Sequence, residues 1–199
     1  MPTLIDRLRK PSALFSSNWA GILWLLPGVT AVPALAGVTR VATDLTRYAD
    51  EGFVTVTRTV RATWRRDLPV SLLAVVSLVM GLANLWAIIN VASDVRVLVV
   101  GFLVPVMWAV LVFVGAYTAV AGTLSVDASR LEVLAAVAAL MRAKPLACLT
   151  LPVIQVLVTP VVVFPPLTVA VGLSIPAWII AEWLRLRPEP SPEDGPADA

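Results

Sequence analysis

Residues 68–89 read LPVSLLAVVSLVMGLANLWAII, a stretch of twenty-two residues without a charged side chain. At about 1.5 Å of rise per residue, a helix of this length crosses a hydrocarbon core of roughly 30 Å. Four more apolar stretches have the same character. The sequence therefore predicts an all-α integral membrane protein, with one membrane-helix domain at 1–187 and about five transmembrane helices at 19–38, 68–90, 97–121, 145–164 and 167–184.

The composition supports this fold class. Of 199 residues, 59% are hydrophobic and the mean hydropathy is +0.89, whereas a soluble domain is about 45–50% apolar. The net charge is only +2, and 13 of the 15 basic residues are arginine, so we expect no nucleic-acid partner. Cys148 is the single cysteine, which excludes an intramolecular disulfide and a thiolate metal cluster.

Residue types that usually carry chemistry are scarce. The chain has no histidine, the commonest general base and metal ligand. Its apolar runs contain no pair of acids, although intramembrane acids are typical of ion-coupled carriers. A glycine-rich phosphate loop is also missing. We therefore expect no enzyme activity, no metal and no cofactor.

The distribution of arginine predicts the orientation. Residues 39–67 contain six arginines, and basic residues near span ends stay in the cytoplasm. We expect a multi-pass membrane protein with this loop and an acidic, proline-rich, disordered tail at 188–199 on the cytoplasmic side. The N-terminus resembles a signal peptide ending at Ala36, but cleavage there would leave those arginines outside. Pro27 and Gly28 kink the first span or, alternatively, make it re-entrant.

Two amphipathic helices are predicted on the cytoplasmic side, at about 39–66 and 129–143. In the first, Asp50-Glu51-Gly52 interrupts the helical pattern, after which Val56 and Val60 recur with two aromatic residues opposite a basic face. Arginine at such a face can reach anionic head groups of the lipid bilayer. Packing of the same face on the bundle is the alternative. The candidate contact residues, to lipid or to a protein partner, are Phe53, Arg58, Arg61, Trp64 and Arg65.

The second amphipathic helix begins with Ser129-Arg130-Leu131-Glu132, which matches a capping box. Its predicted apolar stripe is Leu131, Leu134, Ala138 and Met141. The long apolar run that follows is interrupted by Pro165-Pro166. We therefore expect the last two spans to form a tight hairpin.

Polar side chains inside the spans have two interpretations. Asn84 and Gln155 are the strongest candidates for a solute path or a partner contact. The alternative is that they hold helices together through interhelical hydrogen bonds of roughly 0.6–2 kcal/mol. A carrier is expected to gather Asn84, Gln155 and Tyr117 around one cavity, whereas an adaptor is expected to bury them in helix contacts.

The segment 18–36, NWAGILWLLPGVTAVPALA, resembles the opening signature of the YesL-like family of bacterial membrane proteins, whose function is unknown. Glu51-Gly52-Phe53 and Met141-Arg142-Ala143-Lys144-Pro145 resemble later landmarks of that family. Family members commonly carry an aromatic pair where this chain has Val56-Thr57. The resemblance implies no catalytic residues.

The resemblance also implies a role beside carbohydrate uptake systems. The leading hypothesis is accordingly a non-enzymatic, multi-pass protein of the bacterial inner membrane. It would act as an accessory or interaction partner of a carbohydrate transporter complex. A channel or carrier subunit that contacts solute directly is the alternative, and a membrane enzyme is third.

Overall fold

A computed structural model describes residues 4–45, 47–48, 50–90 and 93–186. The secondary structure of this part of the chain is α-helical, with short connections between the helices and no strand, as predicted. The predicted disordered tail at 188–199 lies outside the described residues. In chain order the helices are α1 Leu4–Leu25, α2 Ala31–Thr43, α3 Gly52–Asn90, α4 Ser93–Thr123, α5 Arg130–Ala143, α6 Pro145–Leu149, α7 Leu151–Val163, α8 Pro165–Val171 and α9 Ser174–Leu184.

Two of these helices are long and apolar enough to cross a membrane. They are α3, with 39 residues, and the part of α4 from Val100 to Thr123. Two bent pairs also pass this test when each is counted as one span, which makes up to four. One pair combines α5 with residues 145–158 at a bend of 106°, and the other combines α8 with α9 at 61°.

The predicted single span at 19–38 is wrong in its geometry, because α1 and α2 form a hairpin. A continuous helix would separate residues 21 and 38 by about 25 Å. In the structure, a Cβ on Gly21 would lie only 2.7 Å from Cγ2 of Val38. The chain reverses at 26–30, where Gly28 has a φ of 71° that favours glycine. Both ends of the hairpin therefore lie at one end of the bundle, as in the re-entrant alternative.

The predicted amphipathic helix at 39–66 is not a separate element. Its first part is the end of α2, which stops at Thr43, and its second part is the beginning of α3. Helix α3 then continues through Pro69 into the predicted second span without a break. Its first half packs against the hairpin, since a Cβ on Gly37 would lie 3.0 Å from Cα of Val56.

Helix α5 matches the predicted helix at 129–143, and its capping box is confirmed. The Ser129 hydroxyl accepts from the Glu132 amide, and the Glu132 carboxylate accepts from the Ser129 amide. The predicted apolar stripe is correct only in part. Leu134 and Met141 pack against the core, but Leu131 is 78% exposed and the fully buried side chains are Val133 and Val137.

The predicted break at Pro165 is also confirmed, since α7 ends at Val163 and α8 begins at Pro165. The amine of Lys144 donates to the carbonyl of Leu184 at 2.6 Å. This contact joins the first residues of the α6–α9 segment to its last, as a hairpin requires. Each arm is itself interrupted, one at Thr150 and the other beside Gly172.

The core surrounds α2 at one end of the molecule, where its Val38 and Val41 pack with Val56 and Val60 of α3. A second cluster gathers Tyr117 and Leu151 with apolar residues of α5 and α9. Beyond this core, α3 and α4 carry many exposed apolar side chains from Leu72 to Leu111. The hydropathic window of α3 buries none of its residues within the molecule. The outer surface of α3 and α4 in this region is thus largely apolar.

The close approach of α2 and α4 at Gly122 generates a stability prediction. A Cβ at Gly122 would lie 2.8 Å from both the carbonyl oxygen of Ala36 and the Cβ of Thr39. Gly122→Ala is therefore expected to lower the free energy of unfolding by about 1–3 kcal/mol through overpacking. The measurement is the melting temperature in detergent. Gly101→Ala is the control, because a Cβ there meets open space and alanine favours the helix by about 1 kcal/mol. Equal melting temperatures for the two variants would contradict this packing.

Candidate functional site

The first half of α3 divides its side chains between the core and an exposed basic face. Val56 and Val60 are buried, so the packing alternative applies to these two residues. Phe53 is 42% exposed and Trp64 is 40% exposed. The three predicted arginines share the exposed side with them. All five predicted contact residues, Phe53, Arg58, Arg61, Trp64 and Arg65, are therefore accessible, and their role stays a prediction.

A shallow groove of about 540 Å³ follows this basic face. Its lining combines cationic and apolar side chains, namely Phe53, Val54, Thr57, Arg58, Arg61 and Ala62. The indole Nε1 of Trp24 donates to the Thr57 hydroxyl at 3.3 Å, which joins α1 to the edge of the groove. The guanidinium of Arg65 instead lies over the Trp64 ring at 5.2 Å from its centroid.

The structure does not gather the predicted polar set around one cavity. The adaptor expectation also fails for Asn84, which is only partly buried and bonds within its own helix. The Asn84 amide donates to the carbonyl of Met80 on its own helix at 2.7 Å and faces the groove between α3 and α4. Gln155 lies against Gly115, where a Cβ would be 2.9 Å from its Nε2. Tyr117 donates to Asp67. Because Asp67 and Asn84 are 17 residues apart on one helix, about 25 Å separates them along its axis.

Asp67 is the residue that sequence reasoning missed. Its side chain is completely buried and accepts three hydrogen bonds. Arg66 donates from Nε to Oδ1 at 2.7 Å and from Nη2 to Oδ2 at 3.1 Å. The Tyr117 hydroxyl donates to Oδ1 at 2.8 Å. The carboxylate thus joins α3 to α4.

The same cluster holds α5 and the chain that precedes it. Arg66 donates from Nη1 to the carbonyl of Ala128 at 3.1 Å. Arg130 donates to the carbonyls of Arg66, at 2.8 Å, and Arg65, at 3.3 Å. The Arg65 carbonyl is the group that Pro69, lacking an N–H, leaves without its helical donor. Arg130 therefore supplies the hydrogen bond that the Arg65 carbonyl lacks because of Pro69.

Arg40 is a third arginine at this end of the bundle. It donates from Nη2 to the carbonyl of Leu124, directly after α4. Its Nε is buried, and no described residue forms a hydrogen bond with it. Burial lowers the pKa of this guanidinium below its usual value, and the nearby Tyr48 hydroxyl opposes that effect. Arg40 and Arg66 together hold both ends of the connection between α4 and α5.

A second polar contact lies at the break between α8 and α9. The buried Asn18 amide donates to the carbonyls of Thr168, at 2.8 Å, and Val169, at 2.9 Å. Its oxygen accepts from the amide of Leu173 at 2.7 Å. Asn18 thus replaces hydrogen bonds that a continuous helix would make within its own backbone.

The chemistry of these clusters favours structural roles. Each oxygen of Asp67 already receives an arginine donor, so the carboxylate is committed to joining α3 to α4. Within the described residues, no group of three His, Cys, Asp or Glu side chains is placed to hold a metal ion. The exposed basic groove is the remaining candidate for binding.

Sequence signals for the missed residues exist in hindsight. Asp67 continues the spacing of Val56, Val60 and Thr63 along the buried face of α3. Its position directly after Arg65-Arg66 is also typical of the solvated end of a span, so the sequence did not indicate that this carboxylate is buried. Asn18 is the first residue of the segment that carries the family resemblance.

Comparisons with known proteins add no identity. No family model, no curated protein and no solved structure matches this chain. The resemblance to the YesL-like family therefore stays a prediction.

Removal of the Asp67 charge is expected to destabilise the protein strongly. Asp67→Asn leaves the buried Arg66 guanidinium without its counter-ion, which costs about 3–5 kcal/mol. Tyr117→Phe removes one hydrogen bond to the carboxylate and costs about 1–3 kcal/mol. Melting temperatures in detergent measure both effects. The control is Arg65→Gln, two residues from Asp67 but exposed, for which we expect little change. An Asp67→Asn protein as stable as this control would contradict the cluster.

Proposed function

We propose that the chain is a non-enzymatic multi-pass protein of the bacterial inner membrane. In this proposal α3 and α4 cross the bilayer, and the α1–α2 hairpin enters it and returns. The α6–α9 segment forms a second hairpin. The exposed apolar surface of α3 and α4 supports insertion, because monomeric soluble proteins rarely expose such large apolar patches.

The distribution of basic residues supports a cytoplasmic orientation for the core end. With a returning α1–α2 hairpin, the three basic residues of 7–10 join the six of 39–67 and the five after α4 on one side. Only Arg96 would then face outward, so 14 of 15 basic residues obey the positive-inside bias. The kinked five-span arrangement would leave three more outside.

We further propose that the protein acts by interaction, as an accessory of a carbohydrate uptake system. The observation that carries this proposal is the separation of the intramembrane polar side chains. Asn84 bonds to its own helix, whereas Tyr117 bonds to Asp67. Asp67 lies about 25 Å from Asn84 along the axis of α3. A selective solute site requires such groups to converge in one cavity. The resemblance to the YesL-like family supplies the carbohydrate connection.

Cysteine labelling in intact cells tests the orientation. In a Cys148→Ala background, Ala62→Cys places an exposed thiol on the proposed cytoplasmic side and Asn90→Cys places one on the opposite side. We expect an impermeant maleimide to label Asn90→Cys in intact cells and Ala62→Cys only after permeabilisation. The reverse pattern would sink the proposed orientation.

Purification in mild detergent, combined with flux measurements, tests the accessory role. We expect subunits of a carbohydrate transporter to co-purify in a constant ratio, and the isolated protein in proteoliposomes to carry no sugar. Asn84→Leu is expected to leave uptake per molecule unchanged. A sugar flux through the isolated protein that Asn84→Leu abolishes, with the fold intact, would establish the carrier alternative instead.

A further inference from the structure

We propose that the groove along the first half of α3 binds the phosphate of one anionic phospholipid, with Arg58, Arg61 and Thr57 as its donors. This inference rests on the proposed membrane residence and orientation. It goes further by naming the ligand class and by separating these three residues from Arg65 and Trp64.

The two arginines are placed to act together. Positions 58 and 61 are three residues apart on a continuous helix, so their Cβ atoms lie about 5–6 Å from each other. Both side chains line the groove and are exposed. In the described part of the chain, neither has a carboxylate within ion-pair distance, whereas Arg66 is paired with Asp67. Their charge is therefore available to a ligand.

Thr57 supplies an uncharged donor between the arginines and α1. Thr59 and Thr63 use their hydroxyl protons on backbone carbonyls four residues earlier. The Thr57 oxygen instead accepts from the Trp24 indole at 3.3 Å. A hydroxyl that accepts one hydrogen bond can still donate another, and Thr57 lines the groove. A phosphate oxygen there can receive this donor together with the two guanidiniums.

The neighbouring surface favours a lipid over a water-borne anion. A Cβ at Gly52 would lie 2.8 Å from the carbonyl of Ala13, so α1 runs beside α3 at the level of the groove. At this level α1 exposes Phe15, Trp19 and Leu23. Exposed aromatic and aliphatic side chains at the same level as arginines are typical of the membrane interface, where acyl chains meet phosphates.

Arg65 belongs to a different environment and provides a matched control. Its guanidinium stacks on Trp64 and does not line the groove. Arg142 is also exposed and lies on α5. The double variant Arg65→Gln/Arg142→Gln therefore removes two exposed positive charges, as Arg58→Gln/Arg61→Gln does, without changing the groove.

The test is native mass spectrometry of the full chain in mild detergent, titrated with phosphatidylglycerol or phosphatidylcholine. We expect the protein to retain one phosphatidylglycerol in preference to phosphatidylcholine. A basic residue near an anionic surface contributes about fivefold in affinity. Arg58→Gln/Arg61→Gln is thus expected to weaken phosphatidylglycerol binding by about 25-fold, and the control pair by much less. Thr57→Val, which changes no charge, is expected to weaken it severalfold.

Several outcomes would overturn the proposal. Equal binding of the two lipids would show that the groove does not select an anionic headgroup. Equal losses in the two double variants would reduce the effect to net charge. Complete displacement of phosphatidylglycerol by excess inorganic phosphate would assign the groove to a free anion. Loss of a co-purifying protein in Arg58→Gln/Arg61→Gln with unchanged lipid binding would assign it to an acidic partner. Circular dichroism verifies that each variant is folded. Since the titration is done in detergent, it can succeed even where cysteine labelling disproves the orientation.

Discussion

The buried carboxylate of Asp67 is the point on which the arrangement of α3, α4 and α5 depends. Arg66 and Tyr117 both donate to it, and Arg66 also reaches the carbonyl of Ala128 before α5. A buried charge is costly unless it is paired and hydrogen-bonded. Any movement of α4 relative to α3 would leave this carboxylate with one donor fewer, so the cluster resists such movement. The apolar packing around the carboxylate buries surface but, being non-directional, fixes the positions of the helices less closely.

This cluster also explains how α3 remains continuous through Pro69. Proline in a helix interior removes one hydrogen bond and leaves the carbonyl four residues earlier without a donor. Arg130 donates to that carbonyl, on Arg65, and to the next one, on Arg66. The defect in α3 thereby becomes an attachment point for α5. Because α5 begins with a capping box, Arg130 is held at the first turn of a well-defined helix.

The parts of the fold that could be predicted from sequence are those with local causes. The charge-free run after Asp67, the capping box at Ser129 and the break at Pro165 each depend on residues close together in the chain. The reversal between α1 and α2 does not. Pro27 and Gly28 break a helix equally well in a kinked span and in a hairpin, and only contacts such as Gly21 with Val38 distinguish the two. The sequence likewise could not show that the side chains of Val56 and Val60 face the core, because this depends on the position of α2, which packs against them.

The same distinction applies to the candidate site. Five exposed residues of α3 were predicted from their types and spacing, but their division into a groove and a stacked Arg65–Trp64 pair depends on side-chain positions. Asn84 was predicted from its rarity in an apolar span, yet its amide serves its own helix. The polar groups of this chain thus occupy separate places: Asp67 and Asn18 stabilise the core, whereas Arg58 and Arg61 lie on the surface, at the level where α1 exposes apolar side chains. This separation of buried, structural polar groups from exposed arginines, unpaired within the described residues, is the arrangement that the proposed binding of an anionic lipid requires.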